Sequence, residues 1–106
     1  MKIEVIFPVY NEGSTIYDQI KKFNEFFDID FKKNLYITVA DNGSNDNTFN
    51  ICNDILNKKL INNYLSISQK GRGRAIKQSI INSDADIVSY MDIDLSTDLD
   101  HFKDLV

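Results

Sequence analysis

The 106-residue chain has few of the residues that cross-link small proteins or bind metals in them. It contains one cysteine, Cys52, so an intramolecular disulfide is excluded and a reducing cytoplasm is the expected location. One histidine, His101, together with that one cysteine cannot make a thiolate–imidazole zinc site. No apolar run approaches the roughly 20 residues that span a bilayer, and the opening MKIEV does not resemble a signal peptide.

Positive charge is also in deficit. Lys and Arg number 12 against 16 Asp and Glu, and the net charge of −4 argues against a nucleic-acid binder. Residues 69–78 hold four cations and no acid, whereas residues 84–104 hold seven Asp and one Lys. Two interpretations stay open: solvated faces, or a basic and an acidic loop that hold a diphosphate directly and through a metal.

What is present is an ordinary globular composition, 42% apolar and 26% charged, which predicts one folded unit over residues 1–106. β-Branched apolar runs predict strands at residues 3–7 (ended by Pro8), 35–40, 64–67 and 86–91. Between them, apolar residues at helical spacing predict helices. The first helix is expected to begin after Ser14 as its N-cap, and the second after Asn45 or Asp46, with Cys52 in the core. The third is expected after Gly71, with Ile80 pointing inward, and the fourth after Thr97. The alternation predicts an α/β fold, an open and mostly parallel sheet with helices on both faces.

Ligands of such sheets bind beyond the carboxyl ends of the strands. The four loops predicted there are rich in polar residues: 8–12, 41–46, 69–74 and 92–98. In the last loop, Asp92 and Asp94 can both face a hard divalent cation, although they could equally be turn formers. A helix–loop–helix calcium site is excluded because its sixth and twelfth positions would be Thr97 and Lys103.

The other three loops offer complementary chemistry. The stretch from Gly71 to Arg74 is not a dinucleotide fingerprint, because it follows the third strand, but it can form a cationic anion-binding loop or a plain surface turn. Asp41 or Asn42 could accept a base N–H, Tyr10 could flank the base and Glu12 could bind ribose hydroxyls. Alternatively, Asp41 and Asn42 only form a turn, Tyr10 is an aromatic residue at the edge of the core, and Glu12 is an acid that caps a helix.

Four blocks in this order resemble family 2 inverting glycosyltransferases of the GT-A fold. They are FPVYNE (7–12), VADNGSND (39–46), KGRGRA (70–75) and MDID (91–94). The resemblance covers nearly the whole chain and is nearest to the dolichyl-phosphate glucosyltransferase and polyprenyl-phosphate sugar transferase branch.

The resemblance implies a nucleotide-sugar donor of the UDP-glucose or GDP-mannose type. It places Pro8, Tyr10, Glu12, Asp41 and Asn42 along the nucleoside and Lys70, Arg72 and Arg74 on the diphosphate. Asp92 and Asp94 match the metal pair for Mg²⁺ or Mn²⁺, with Asp94 the more direct ligand and Asp92 also near the donor. The family usually has Asp-Asp where this chain has Asp41 and Asn42, so which of the two reads the base stays open.

The implied reaction is a single displacement with inversion at the anomeric carbon, onto a lipid phosphate or a glycan. The acceptor half of such enzymes follows the metal pair, so no catalytic residue is assigned within residues 1–106. We expect weak nucleotide binding without turnover, self-association through the surface left by the missing half, and membrane association only in a full-length protein. The alternative is a non-catalytic nucleotide- or metal-binding module that acts with partners. A sugar-phosphate nucleotidyltransferase is disfavoured because no Gly-rich basic loop follows the first strand.

Overall fold

The computed structural model describes residues 1–27, 29–66, 77, 79–81 and 83–91. Within them the elements are β1 (Ile3–Val9), α1 (Ile16–Phe26), α2 (Ile29–Lys32), β2 (Leu35–Asp41), α3 (Thr48–Asn57), β3 (Asn63–Ser66) and β4 (Ile87–Tyr90). The strands form one sheet in the order β3-β2-β1-β4, and every pairing is parallel. The predicted α/β class is confirmed.

Strand β1 lies in the centre of the sheet, and all seven of its residues are buried. Pro8 lies inside this strand, so the prediction that it ends the strand is wrong. The Val9 carbonyl accepts a hydrogen bond from the N–H of Asn42 on the β2 side, and the Ile6 carbonyl accepts one from Met91 on the β4 side. Because successive residues of a strand point their backbone groups to alternate sides, Pro8 faces β4 as Ile6 does. The described β4 pairing ends at Ile6, so the missing N–H of proline breaks no bond there.

Helices α1 and α3 pack on one face of the sheet. Three buried side chains of α1 recur at helical spacing: Ile16, Ile20 and Phe23. The Phe23 ring meets Phe7 of β1 edge-on at 5.1 Å between centroids and Phe27 at 4.9 Å. Cys52 and Ile55 of α3 are fully buried in the same cluster, which confirms the prediction that Cys52 is a core residue.

The opposite face carries a buried polar group. Glu4 of β1 is 5% exposed, and its two carboxylate oxygens accept hydrogen bonds of 2.5 Å from the Thr38 and Ser83 hydroxyls. A cavity of about 310 Å³ lies beside this group, with Tyr36 and Ser79 among its lining residues. Burying a carboxylate costs free energy unless donors satisfy it, and these two hydroxyls supply that compensation.

The ends of the helices differ from the predictions. Helix α1 is capped by Thr15 rather than Ser14, because the N–H groups of Thr15 and Ile16 both donate to the Glu12 carbonyl and close a turn first. Helix α2 was not predicted. It is a single turn in which Phe31 stacks on Phe27 at 4.8 Å, a tertiary contact that leaves no periodic signal.

The N-cap position of helix α3 is Asn47, one residue after Asp46 and two after Asn45, and the Asn47 side chain makes no capping hydrogen bond. The carboxylate of Asp46 still accepts the Thr48 N–H at 2.9 Å, so it supports the first turn from outside the helix.

Residues 79–81 are helical, as predicted, but Ile80 does not point inward. Ser79 is 3% exposed and lines the cavity beside Glu4, which turns Ile80 toward solvent at 46% exposure. Ile67, the start of that helix at Gly71, and the helix after Thr97 lie outside the described residues. In the described part of the chain, no helix is long and apolar enough to cross a membrane.

Candidate functional site

The loop after β1 and the loop after β2 meet at the carboxyl edge of the sheet. The backbone N–H of Asn11 donates to Ser44 Oγ at 2.8 Å, and Asn11 Oδ1 accepts the Asn45 N–H at 2.8 Å. The Gly13 N–H donates to Asp46 Oδ2 at 3.2 Å. Three hydrogen bonds therefore join two segments that are more than 30 residues apart in the sequence, and they form what we term the rim, residues 10–13 and 42–46.

The close approach of the two loops depends on special backbone positions. Asn11 and Gly43 have φ angles of 51° and 74°, in the left-handed region that Asn tolerates and Gly favours. At Gly13 the limit is space, since a Cβ there would lie 1.9 Å from Asn47 Oδ1 and 3.1 Å from the Thr48 nitrogen. The sequence of these loops thus allows a contact that bulkier residues would prevent.

Asp41 ends β2 with both carboxylate oxygens occupied. Oδ1 accepts the Ser44 N–H at 2.9 Å, and Oδ2 accepts the Tyr64 hydroxyl at 2.5 Å. The residue is 1% exposed. Burial raises the pKa of Tyr64, and the hydrogen bond to Asp41 acts in the same direction, so Tyr64 stays a neutral phenol that donates to Asp41 near neutral pH.

Asn42 is placed differently from its neighbour. Its backbone N–H donates to the Val9 carbonyl at 2.8 Å, which holds the residue between the two loops. The residue is 5% exposed, and within the described part of the chain its Oδ1 is buried without a hydrogen-bond partner. An unsatisfied buried acceptor costs about 1–3 kcal/mol, so a ligand that donates to this atom recovers that free energy.

The remaining predicted nucleoside residues lie at different depths. Tyr10 is 37% exposed on the rim, and Glu12 beside it is half-buried. The Thr15 hydroxyl lies 3.4 Å from Glu12 Oε2, a weak contact that leaves the carboxylate able to bind a second donor. Pro8 is buried within β1 rather than on the rim.

The predicted diphosphate and metal residues, Lys70, Arg72, Arg74, Asp92 and Asp94, lie outside the described residues. Among the residues that are described, no group of three or more His, Cys, Asp or Glu could hold a metal ion. Met91 follows β4, and its N–H donates to the Ile6 carbonyl, so the chain passes beside β1 immediately before Asp92.

Sequence reasoning missed four residues that build the site: Asn11, Ser44, Asp46 and Tyr64. The Asn-Gly and Asn-Asp pairs of the second loop signalled a turn, but not its partner in the first loop. No local pattern identifies Tyr64, because its hydroxyl reaches Asp41 from a separate strand.

Two shifted pKa values follow from this packing. The Thr48 hydroxyl holds the pKa of Asp46 below its ordinary value, so Asp46 remains an anion that accepts the Gly13 N–H. Burial raises the pKa of Cys52 to about 12, and the charges of Asp41 and Asp46 add to the effect. Cys52 is therefore an unreactive thiol beneath the site.

A parallel α/β sheet with polar loops joined at its carboxyl edge is the architecture of the GT-A class of glycosyltransferases. The structure of Staphylococcus aureus TarS residues 1–349 superposes with a TM-score of 0.77 over 99% of this chain and 31% of that chain, at 22% identity. The structure of TarS residues 1–349 in complex with UDP-GlcNAc gives a TM-score of 0.65 over 89% of this chain and 27% of that chain, at 24% identity. At these identities the likeness shows the fold.

The chain belongs to glycosyl transferase family 2, whose sequence profile matches residues 4–106. It is 29% identical over 108 residues to glycosyltransferase AglD of Haloferax volcanii, covering 100% of this chain and 17% of AglD. It is 32% identical over 108 residues to dolichyl-phosphate beta-glucosyltransferase of Dictyostelium discoideum, covering 95% of this chain and 33% of that protein. The chain thus spans a third or less of the length of these curated relatives.

Proposed function

We propose that the chain is the donor-binding part of an inverting glycosyltransferase and that the rim binds the nucleoside of a nucleotide-diphosphate sugar. The buried Oδ1 of Asn42, which has no hydrogen-bond partner among the described residues, carries this proposal. The imide N–H of uracil and the N1–H of guanine are donors that such an oxygen accepts. UDP-glucose and GDP-mannose each supply one of these bases.

Asn42, rather than Asp41, reads the base in this proposal. Both oxygens of Asp41 already accept hydrogen bonds, from Ser44 and Tyr64. A ligand would have to displace one of these donors to reach the carboxylate. Asp41 therefore shapes the loop, and Asn42 beside it keeps a free acceptor.

Tyr10 and Glu12 bind the rest of the nucleoside. The ring of Tyr10 is part-exposed on the rim and offers a flat apolar surface to a base. One oxygen of Glu12 accepts a weak contact at 3.4 Å from the Thr15 hydroxyl, and a ribose hydroxyl is a suitable second donor for it. Pro8 contributes indirectly, as the buried end of the strand from which the first loop starts.

Lys70, Arg72 and Arg74 would meet the diphosphate, and Asp92 and Asp94 would hold Mg²⁺ or Mn²⁺. The sequence supports this assignment, since three cations and two aspartates follow the third and fourth strands of a parallel sheet. A divalent cation there would neutralise charge on the departing diphosphate.

The proposed acceptor is a lipid phosphate of the dolichyl or polyprenyl type, supported by the name of the Dictyostelium relative. A phosphate oxygen is already an anionic nucleophile and needs little help from a base. It would form a bond to the anomeric carbon as the bond to the nucleoside diphosphate breaks on the opposite face, with inversion. Such an acceptor would bring the full-length enzyme to a membrane surface.

Calorimetric titration with UDP, UDP-glucose and GDP-mannose, each with and without Mn²⁺, tests this proposal. Asn42→Leu should weaken binding roughly tenfold, whereas Asn42→Asp keeps an acceptor and should bind within about threefold of wild type. Asp94→Asn should remove the effect of Mn²⁺.

Equal binding of nucleotide by Asn42→Leu and wild type would contradict the proposed nucleoside site. Nucleotide binding that Mn²⁺ and Asp94→Asn do not change would favour the non-catalytic module. Sugar transfer by residues 1–106 alone would contradict the expected inactivity.

A further inference from the structure

We propose that Asn11 is a positioning residue that fixes Tyr10 and Glu12 relative to Asn42. The inference rests on the proposed function of the rim. Asn11 contacts the second loop twice: its N–H donates to Ser44 Oγ, and its side-chain oxygen accepts the Asn45 N–H, both at 2.8 Å. A single residue thus joins the loop that carries the proposed base-stacking ring to the loop that carries the proposed base reader.

The residue type at position 11 is constrained from two directions. Its φ of 51° lies in the left-handed region, which favours Gly and Asn over most residues. Its contact with Asn45 requires a side-chain acceptor on a short stem. Gly satisfies the first requirement alone and Ala satisfies neither, whereas Asp satisfies both. This difference separates the backbone role of Asn11 from its hydrogen bond.

A nucleoside that touches both Tyr10 and Asn42 requires a fixed spacing between the two loops. When only a fraction of the molecules has that spacing, the apparent affinity falls in proportion to the fraction. Asn11 makes both of these contacts within the protein, and the proposal assigns it no contact with the ligand. It therefore acts through the placement of its neighbours and not by contact with the donor.

The domain should stay folded without this contact. The Gly13–Asp46 hydrogen bond still joins the loops, and helix α1 begins only at Ile16, beyond the turn that Glu12 closes. Asn11 itself is exposed and adds nothing to the apolar core. A change in affinity can therefore be measured apart from global unfolding.

The test compares Asn11→Ala, Asn11→Gly and Asn11→Asp with wild type, and uses Asn50→Ala, an exposed change on α3, as a matched control. UDP affinity is measured by calorimetry, and exchange of the Asn45 amide proton is followed by NMR. Ala and Gly should each weaken UDP binding five- to tenfold and speed Asn45 exchange by a similar factor. Asp and the control should stay within twofold for both quantities.

The outcomes separate this inference from the proposed function. Wild-type affinity in Asn11→Ala and Asn11→Gly, with UDP bound normally, would overturn the positioning role alone. Unchanged Asn45 exchange in those variants would show that Asn11 does not hold the second loop in place. A wild-type chain that does not bind UDP would instead overturn the proposed function, and with it the part of Asn11 in nucleotide binding.

Discussion

The hydroxyl of Tyr64 donates a hydrogen bond of 2.5 Å to Asp41 Oδ2, and this bond ties strand β3 to the carboxyl end of β2. The other oxygen of Asp41 accepts the Ser44 N–H, so one carboxylate connects an edge strand to the second loop of the rim. Phe49 of α3 meets the Tyr64 ring edge-on at 5.8 Å and partly covers it. The geometry of the rim therefore depends on a strand that contributes no residue to it.

Replacing Tyr64 with Phe should lower the free energy of unfolding by about 1–3 kcal/mol. The change removes the hydroxyl and leaves a buried carboxylate oxygen of Asp41 without its donor. Urea denaturation at pH 7 measures the loss. Tyr36→Phe is the matched control, since Tyr36 is 37% exposed. Loss of its hydroxyl should lower the free energy of unfolding by less than about 0.5 kcal/mol. Equal losses in the two variants would contradict the role of Tyr64.

Stability should fall at alkaline pH. Folding raises the pKa of Cys52 from 9.0 to about 12 and also raises that of Tyr64 above 10.0. The unfolded chain therefore releases these protons first, so the stabilisation is complete below pH 9 and is lost as the pH rises toward 12. Each group steepens the decline by up to about 1.4 kcal/mol per pH unit.

Urea denaturation of wild type and Cys52→Ala at pH 8, 9, 10 and 11 tests this expectation. The variant is less stable at pH 8 because it loses core volume at a fully buried position. Its decline between pH 9 and 11 should nevertheless be shallower, because the thiol no longer titrates. Parallel curves for the two proteins would show that Cys52 keeps an ordinary pKa.

Thr38→Val should destabilise the domain by about 1–3 kcal/mol although the two side chains have similar shapes. The Thr38 hydroxyl is one of two donors to the buried Glu4 carboxylate, and valine leaves that oxygen unpaired. Thermal unfolding gives the difference. Ser14→Ala, at an exposed position that does not cap α1, should change the free energy of unfolding by less than about 0.5 kcal/mol. If Thr38→Val leaves the free energy of unfolding unchanged, the Thr38 hydroxyl does not stabilise the buried Glu4 side chain.

Gly13→Ala should separate the two loops of the rim. The new Cβ would lie 1.9 Å from Asn47 Oδ1 and 3.1 Å from the Thr48 nitrogen, at a cost of about 1–3 kcal/mol. Adding Asn47→Ala removes the closer contact and should restore part of the stability in chemical denaturation. If the double variant is no more stable than Gly13→Ala, the steric explanation is wrong.

The sheet could be predicted because its signals are local. Buried strands are runs of β-branched residues, and the alternation of strands with helices fixes parallel pairing. The prediction for Pro8 was wrong because a proline fits inside a strand where its nitrogen faces no hydrogen-bond acceptor. The described pairing with β4, which ends at Ile6, provides such a position. The prediction for Ile80 was also wrong, since Ser79 rather than Ile80 is buried against the cavity beside Glu4.

The site could be predicted in position but not in its internal bonding. The rule for strand ends places Tyr10 and Asn42 on one edge of the sheet. The hydrogen bond from Asn11 to Ser44 joins residues 33 positions apart, and the one from Tyr64 to Asp41 joins residues 23 positions apart. Contacts of that range leave no periodicity in the sequence, so only the fold decides which of Asp41 and Asn42 keeps a free acceptor.

The central claim, that the nucleoside binds on the rim, is tested most directly by mapping UDP onto the backbone. Amide chemical shifts of the ¹⁵N-labelled chain would be followed during a UDP titration in the presence of Mg²⁺. Binding of the nucleoside on the rim predicts saturable shifts at Tyr10, Asn42 and Asn45, and none at Tyr36 or Val88 on the other face of the sheet. Saturable shifts confined to that other face, or no saturable shift on the rim, would contradict it.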